Sequence, residues 1–359
     1  MKKMTFILIL FASFFGGNGY AMNFQVYKLT DSAFNTDPSV YENSIAWRGY
    51  GIFYWDGSDI NRIRDDGDFS PPLSLYDGTI AWSESVGNGY EICYWNGTSV
   101  AKISDSATTA DYTPSLYNDT IAWSGRIKNT QGDILREIFY WDGISITQVT
   151  NNNNYDSHPS LYNGMIAWSG WDGNDNEIYY WDGNTITQLT DNNMDDQNPS
   201  IWNGSIAWQA GNPGFASTDE IYYWDGLDIM RLTSNSTYDG SPSLYDGTIA
   251  WVDVVKDGTN EEEIFYWDGS SIFQITDDDS RYADYSPSLY GDTIAWCKRD
   301  GLGNENIYYA KITSDEGPEP VPEPATVLLL FTGLIGLAAI KRRRKKIAVE
   351  LKQSCPNCL

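Results

Sequence analysis

The chain has 359 residues, 41% of them hydrophobic and 15% aromatic, with a formal net charge of −26. That much apolar bulk excludes a disordered chain, and that much negative charge excludes nucleic acid and anionic lipid as partners of the body. Lys2, Lys3, the six residues from Lys341 to Lys346 and Lys352 account for nine of the 23 basic residues, so the middle of the chain is more acidic still.

Residues 1–21 read as an export signal peptide. Lys2 and Lys3 form a basic leading segment, residues 4–15 are mostly apolar, and Gly19 and Ala21 supply small side chains at the −3 and −1 positions of a cleavage site.

From residue 22 to residue 313 the chain repeats itself, and a repeat decides the fold before any local reading does. Ile-Ala-Trp occurs seven times, with its Trp at 47, 82, 123, 168, 208, 251 and 296. Each unit opens on a Pro-Ser-Leu-Tyr-like run, turns into Ile-Ala-Trp, and crosses a loop of variable length. It then reads close to Glu-Ile-Tyr-Tyr-Trp-Asp-Gly and ends on a run such as Thr-Ile-Thr-Gln-Leu-Thr-Asp. Four short β-rich runs joined by Asn-Gly and Asp-Gly pairs predict four antiparallel strands, with type I′ turns between first and second and between third and fourth. The third run is apolar on both faces, as in Ile178-Tyr179-Tyr180-Trp181, which suits a sheet pressed between two neighbours.

Unit length and strand number match a propeller blade. Phe24 to Asp31 looks like a fourth strand without its first three, and the last unit runs into a Pro/Glu-rich segment without a fourth strand. The expected fold is therefore all-β: a seven-bladed β-propeller of four-stranded antiparallel blades, closed by an N-terminal strand that completes the last blade.

Strand order then divides the ring into two faces. One carries the tight turns; the other carries the second-to-third loops and the blade-to-blade loops. On that second face, the distance from the Ile-Ala-Trp tryptophan to the first Ile of the third strand varies from 5 residues in unit one to 15 in unit three. Variation gathered on one face of a rigid scaffold points to recognition there. The candidate recognition residues are Trp171, Asp172, Asp175, Phe215, Tyr238 and Tyr282, aromatic faces beside carboxylates that suit a polysaccharide or a basic protein. The plainer reading is that acidic loops keep an exported protein soluble. Trp171 stands out because no other unit has a counterpart.

One loop acid recurs in nearly every unit: Asp68, Asp111, Asp156, Asp196, Asp239 and Asp284 each precede the blade-opening proline by three residues, with Asn35 in the first unit. A residue needed by every blade is structural, and hydrogen bonds to loop amides are its expected task.

Catalytic patterns are weak. No Gly-x-Ser-x-Gly elbow is present, and the one histidine, His158, sits beside a blade-opening proline, so neither a His-based triad nor a His-rich metal site is expected. Carboxylate pairs can cleave glycosides, but no pair is singled out among so many acids. Asp172, Asn174 and Asn176 match positions 1, 3 and 5 of a calcium loop, yet Glu177 stands where glycine is needed and Gly183 where a bidentate glutamate should be. A hairpin turn explains that run better than Ca²⁺, and no cofactor is expected. Cys93 and Cys297 lie in different units and read as free buried thiols; Cys355 and Cys358 form an isolated Cys-x-x-Cys on the tail.

The C-terminal region reads in three parts. Residues 314–324 are a Pro/Glu linker ending in Val321, Pro322, Glu323 and Pro324; residues 325–340 are apolar; residues 341–359 are a tail that begins with Lys341, Arg342, Arg343, Arg344, Lys345 and Lys346. The apolar stretch would be about 24 Å long as a helix, slightly short of a hydrocarbon core of roughly 30 Å. Its basic flank should stay cytoplasmic, leaving the body outside. Motif, apolar helix and basic cluster in this order resemble the PEP-CTERM sorting signal of Gram-negative bacteria. The resemblance implies recognition by an exosortase-type membrane protease, transient anchoring by the helix, and cleavage near the motif. Residues 347–359 extend past the point where such signals usually stop.

The repeat itself resembles the TolB-like, WD-type propeller unit, from Phe24 to about Thr313. It has Leu-Tyr-Asp-Gly where that unit usually has Trp-Ser-Pro-Asp-Gly. This resemblance implies a fold and a habit of binding, not a reaction. The combined expectation is an exported, non-enzymatic propeller that binds a ligand or protein at the cell envelope or in extracellular matrix. A carbohydrate-active enzyme using loop carboxylates and a structural matrix component are the alternatives.

Overall fold

The computed structural model describes residues 14–15 and 21–314, except 66, 88, 106–109, 215–217, 256–260 and 278–281. Most of the expected signal peptide, Phe215, the Pro/Glu linker, the apolar stretch and the basic tail lie outside the described residues.

Seven sheets form, each strand pairing antiparallel with the next. Blades 1 to 6 occupy residues 36–64, 69–102, 111–148, 156–188, 195–231 and 239–274. Blade 7 takes its first three strands from Ala283–Tyr290, Thr293–Arg299 and Glu305–Ser314, and its fourth from Ala21–Lys28 near the N-terminus. Phe14–Phe15 adds a short fifth strand to that sheet. The closure is reinforced by side chains: the amide of Ile307 donates to Thr30 Oγ1 at 2.9 Å, across 277 residues of sequence. The same bond forms inside other blades, as Ile178 N to Thr190 Oγ1 at 2.8 Å, which explains why the fourth run ends on Thr.

The repeated residues each answer one packing problem. All seven Ile-Ala-Trp tryptophans are at most 2% exposed, wedged between blades. An indole buried that deeply must satisfy its N–H. Trp168, Trp208, Trp251 and Trp296 donate to Asp156, Asp196, Asp239 and Asp284 at 3.1, 2.7, 2.8 and 2.8 Å, and Trp47 donates to Asn35 at 2.9 Å. The recurring acid is therefore structural: one oxygen accepts from the tryptophan, and in blades 4, 5 and 6 the other accepts a loop side-chain amide, from Asn152, Asn192 and Asn235 at 2.9, 2.6 and 2.9 Å. Blade 2 departs: Trp82 turns to Glu84 at 3.1 Å, which Arg64 also binds, while Asp68 accepts from the Tyr90 hydroxyl.

Turn chemistry differs from expectation at one of its two places. Asn163 and Gly164 both have positive φ, 48° and 79°, as a type I′ turn requires. In Trp181-Asp182-Gly183 only Gly183 does, at 95°, and Asp182 Oδ1 instead accepts the amides of Asn184 and Thr185 at 2.8 and 2.7 Å. The Trp-Asp-Gly turn is thus an aspartate-capped turn. Cys93 and Cys297 are free and buried.

Candidate functional site

The first strand of every blade runs along the ring axis, from the loop face to the turn face. Its Pro-Ser-Leu-Tyr order sets what the axis displays at each height. Leu is buried between blades, while Ser and Tyr are half-buried toward the centre.

At the turn face, Tyr41, Tyr76, Tyr117, Tyr162, Trp202, Tyr245 and Tyr290 close into a ring whose neighbouring centroids are 4.4–4.6 Å apart. Trp202, the largest member, also meets Tyr290 two places round, edge-on at 5.6 Å, so it leans across the axis. One level up, each serine accepts the amide hydrogen bond of the next blade's first strand. Ser160 receives Ile201 N at 3.1 Å, Ser200 receives Leu244 N at 2.9 Å, and Ser288 receives Val40 N at 3.0 Å to complete the circle.

Above these rings lies an open pit of about 380 Å³, walled by the prolines and serines. Its mouth is formed by the residues four places before the aromatic ring, Asp37, Pro72, Thr113, His158, Asn198, Ser241 and Ser286, each followed by a proline except Pro72, which Leu73 follows. Six of them, all but Pro72, have φ of 51–54°. Each sits at a break in strand register, for example between Ser157 and Ser160. A bulge with a left-handed residue re-aims that side chain out of the sheet. For a β-branched residue such as Thr113 this conformation is strained, and strain of this kind gathers where a side chain is wanted in a particular place.

The mouth is close to neutral although the loops around it are acidic. Asp37 is neutralised by Arg48, whose Nε and Nη2 reach Oδ2 at 3.0 and 2.9 Å. His158 is open to solvent in the pit yet surrounded by wall; desolvation first, and the Arg136 charge second, lower its pKa and keep the imidazole uncharged at pH 7. Its Nδ1 lies 3.2 Å from Ser157 Oγ. Arg136 lies over the rings of Tyr112 and Tyr155, at 5.3 and 4.9 Å from their centroids. On the next sector Gln209 acts as a hub: its Oε1 accepts from Asn198 Nδ2 at 3.0 Å and Ser241 N at 2.9 Å, and its Nε2 donates to Asp219 at 3.0 Å. Burial pushes the Asp219 carboxyl up to about 6.

None of the described sequence-derived candidates is among the residues lining this pit, and their exposure differs. Trp171 ends the second strand of blade 4 and is 39% exposed, as expected of a contact residue. Asp172 is exposed beside it. Asp175 is not on the surface: it is fully buried, because the turn folds its carboxylate under Asn174, whose Nδ2 donates to it at 3.0 Å. Tyr238 is half-buried, packed over Gly240, with its hydroxyl donating toward Gln209 Oε1 at 3.4 Å. Tyr282 is half-buried under the Lys298 ammonium, 5.0 Å from its ring centroid. The pre-proline ring escaped the sequence reading, though its signal was present: one varying residue before an otherwise repeated Pro-Ser-Leu-Tyr.

Residues 320–345 match the model of the PEP-CTERM protein-sorting motif. The chain carries a PEP-CTERM sorting motif. Such a motif marks an exported protein sorted to the cell envelope. No curated protein sequence matches the chain. Among solved structures, the chain is similar to the β-propeller domain of the Trilobed protease from Pyrococcus furiosus, at 13% identity and TM-score 0.56 over 73% of this chain and 89% of that one. It is also similar to a puromycin-hydrolyzing peptidase of Mycobacterium tuberculosis, at 13% identity and TM-score 0.55, covering 77% of this chain and 53% of that one. Pyrococcus horikoshii acylaminoacyl peptidase gives 13% identity and TM-score 0.54, covering 78% and 53%. The chain thus spans about half the length of those two peptidases, and the likeness establishes the propeller fold alone.

Proposed function

We propose that this protein is an exported, non-enzymatic propeller that binds a neutral, hydroxyl-rich ligand, a polysaccharide segment, at the mouth of the axial pit. The observation that carries the reading is the pre-proline ring. Seven equivalent positions of a strongly repeated scaffold hold six residue types, and all seven line one opening. His158, Asn198, Ser241 and Ser286 supply uncharged donors and acceptors, and Trp171 an exposed stacking face on the same side of the ring. Sugars need both kinds of contact. A basic protein would find its countercharge in the outer acidic loops but not in the pit. The TolB-like pattern of the repeat agrees with binding rather than turnover, and the sorting motif supports processing by an exosortase-type protease at the envelope, followed by residence there or in extracellular matrix.

The test is a glycan array probed with the purified full chain, alongside an array of basic peptides. Binding to a glycan class that is lost in both His158→Ala and Trp171→Ala supports the reading. Binding to peptides alone, or hydrolysis of any polysaccharide offered, sinks it.

A further inference from the structure

Blade 4 brings together three carboxylates from three successive segments of its chain. Asp172 lies in the turn after the second strand, Glu177 begins the apolar run of the third, and Asp191 follows the fourth. An oxygen of each lies within 4.8 Å of the others. Glu177 is fully buried; its Oε1 accepts the Asn192 amide at 2.8 Å, and its Oε2 has no hydrogen-bond partner. Asp175, also fully buried, has Oδ1 equally without a partner. Buried carboxylate oxygens without a donor are costly, and a cation is one of the few things that removes the cost.

The repeat supplies an internal control. In blade 3 the corresponding residues are Ile127, Glu137 and Asn151, and Glu137 Oε2 is likewise buried and unpartnered. The glutamate alone is therefore a property of the scaffold. Blade 7 has both aspartates, Asp300 and Asp31, but Asn306 in place of the glutamate. Among the described residues, only blade 4 places acids at all three positions.

We propose that Asp172, Glu177 and Asp191 form a Ca²⁺ site, backed by Asp175. Three carboxylates are hard oxygen donors, which suit Ca²⁺ or Mg²⁺ over softer metals. Oxygens within 4.8 Å of one another can be spanned by Ca²⁺, whose opposite oxygens stand about 4.6–5.2 Å apart and whose coordination is more tolerant of an irregular ligand set than that of Mg²⁺. The ligands differ from those of the linear calcium loop that the sequence of Asp172 to Glu177 resembles. Asp191 comes from the blade-to-blade loop, so the ion clamps that loop to the turn carrying Trp171. Asn176 Nδ2, donating to Asp195 Oδ1 at 3.0 Å, already joins the same two segments.

The experiment uses the full chain with Tb³⁺ luminescence, which Trp171 next to the site can sensitise, and thermal melting in CaCl₂, MgCl₂ or EDTA. Asp172→Asn and Asp191→Asn keep the side-chain shape and act at exposed positions, so the fold survives. Expected is saturable Tb³⁺ emission displaced by Ca²⁺, and a Ca²⁺-dependent rise in Tm of several degrees that Mg²⁺ reproduces weakly. Both signals should fall at least about tenfold in affinity in either variant. The proposal is overturned by a wild-type chain indifferent to about 10 mM Ca²⁺, well above the roughly 10⁻⁴–10⁻³ M at which extracellular calcium modules fill. A response undiminished in the Asp172→Asn/Asp191→Asn double variant overturns it equally.

Discussion

The two ends of the axial channel are built from the same strands and behave in opposite ways. At the turn face the seven positions hold six tyrosines and one tryptophan, locked in a ring by contacts of 4.4–4.6 Å. Four residues earlier in the same strands, the positions at the loop face hold Asp, Pro, Thr, His, Asn, Ser and Ser. A residue that repeats does so because every blade has the same neighbour to satisfy. A residue free to differ has no neighbour to satisfy, or has something outside the protein to meet. The closed end is scaffold; the open end is where specificity can be written.

The sharpest way to break that distinction is to compare two tryptophans three residues apart. Trp168 is 1% exposed and donates to Asp156, while Trp171 is 39% exposed. Trp168→Ala should cost about 3–5 kcal/mol, through the cavity and the loss of the indole donor to Asp156 Oδ1. Trp171→Ala should change stability by less than about 0.5 kcal/mol while removing binding. Urea denaturation of both variants decides it: similar losses in the two would place Trp171 in the scaffold and erase the contrast.

A second, smaller effect concerns the buried acids that join blades. Burial pushes the Glu137 and Glu263 carboxyls up to about 7, against hydrogen bonds from Thr150 and Thr276 that act the other way. A folded-state pKa above the unfolded value means that the native state holds the proton more tightly. The resulting stability is complete below about pH 4.5, falls as pH rises through about 7, and is flat above that. Tm should therefore be several degrees higher at pH 5 than at pH 8, and Glu137→Gln should flatten part of the slope. A Tm that rises from pH 5 to pH 8 would show that these carboxyls ionise freely in the fold.

The fold was legible because the repeat states each constraint many times. Seven copies of Ile-Ala-Trp, six complete units and one strand left over at the start allow no other closure. Recurrence marks the aspartate as structural, but its indole partner is hidden in the sequence: Asp156 and Trp168 are twelve residues apart and meet only after two strands pair. The site was harder to see because the pit mouth gathers one residue from each blade, and no local pattern announces a shared axis. Nor does sequence reveal that Asp175, in an acidic and apparently open turn, is folded inward while Asp172 beside it is not. Composition gives the number of carboxylates; only the backbone of the turn decides which of them meet solvent.

The smallest predicted effect tests whether the mouth residues are held at a cost. Thr113 has φ of 51°, and its Oγ1 is buried without a partner. Both features are unfavourable: a β-branched residue is a poor occupant of the left-handed region, and an unpaired hydroxyl loses its water for nothing. Thr113→Gly removes both, against the greater backbone freedom that glycine brings to the unfolded chain. The net should be a gain of about 1 kcal/mol in urea denaturation, with ligand binding weakened at the same time. The control is Gly164→Ala at the turn face, where φ is 79°; it should lose stability by a similar amount and leave binding unchanged. If Thr113→Gly destabilised instead, the threonine would be serving the fold at that position, and the open end of the channel would be scaffold in at least one of its seven sectors.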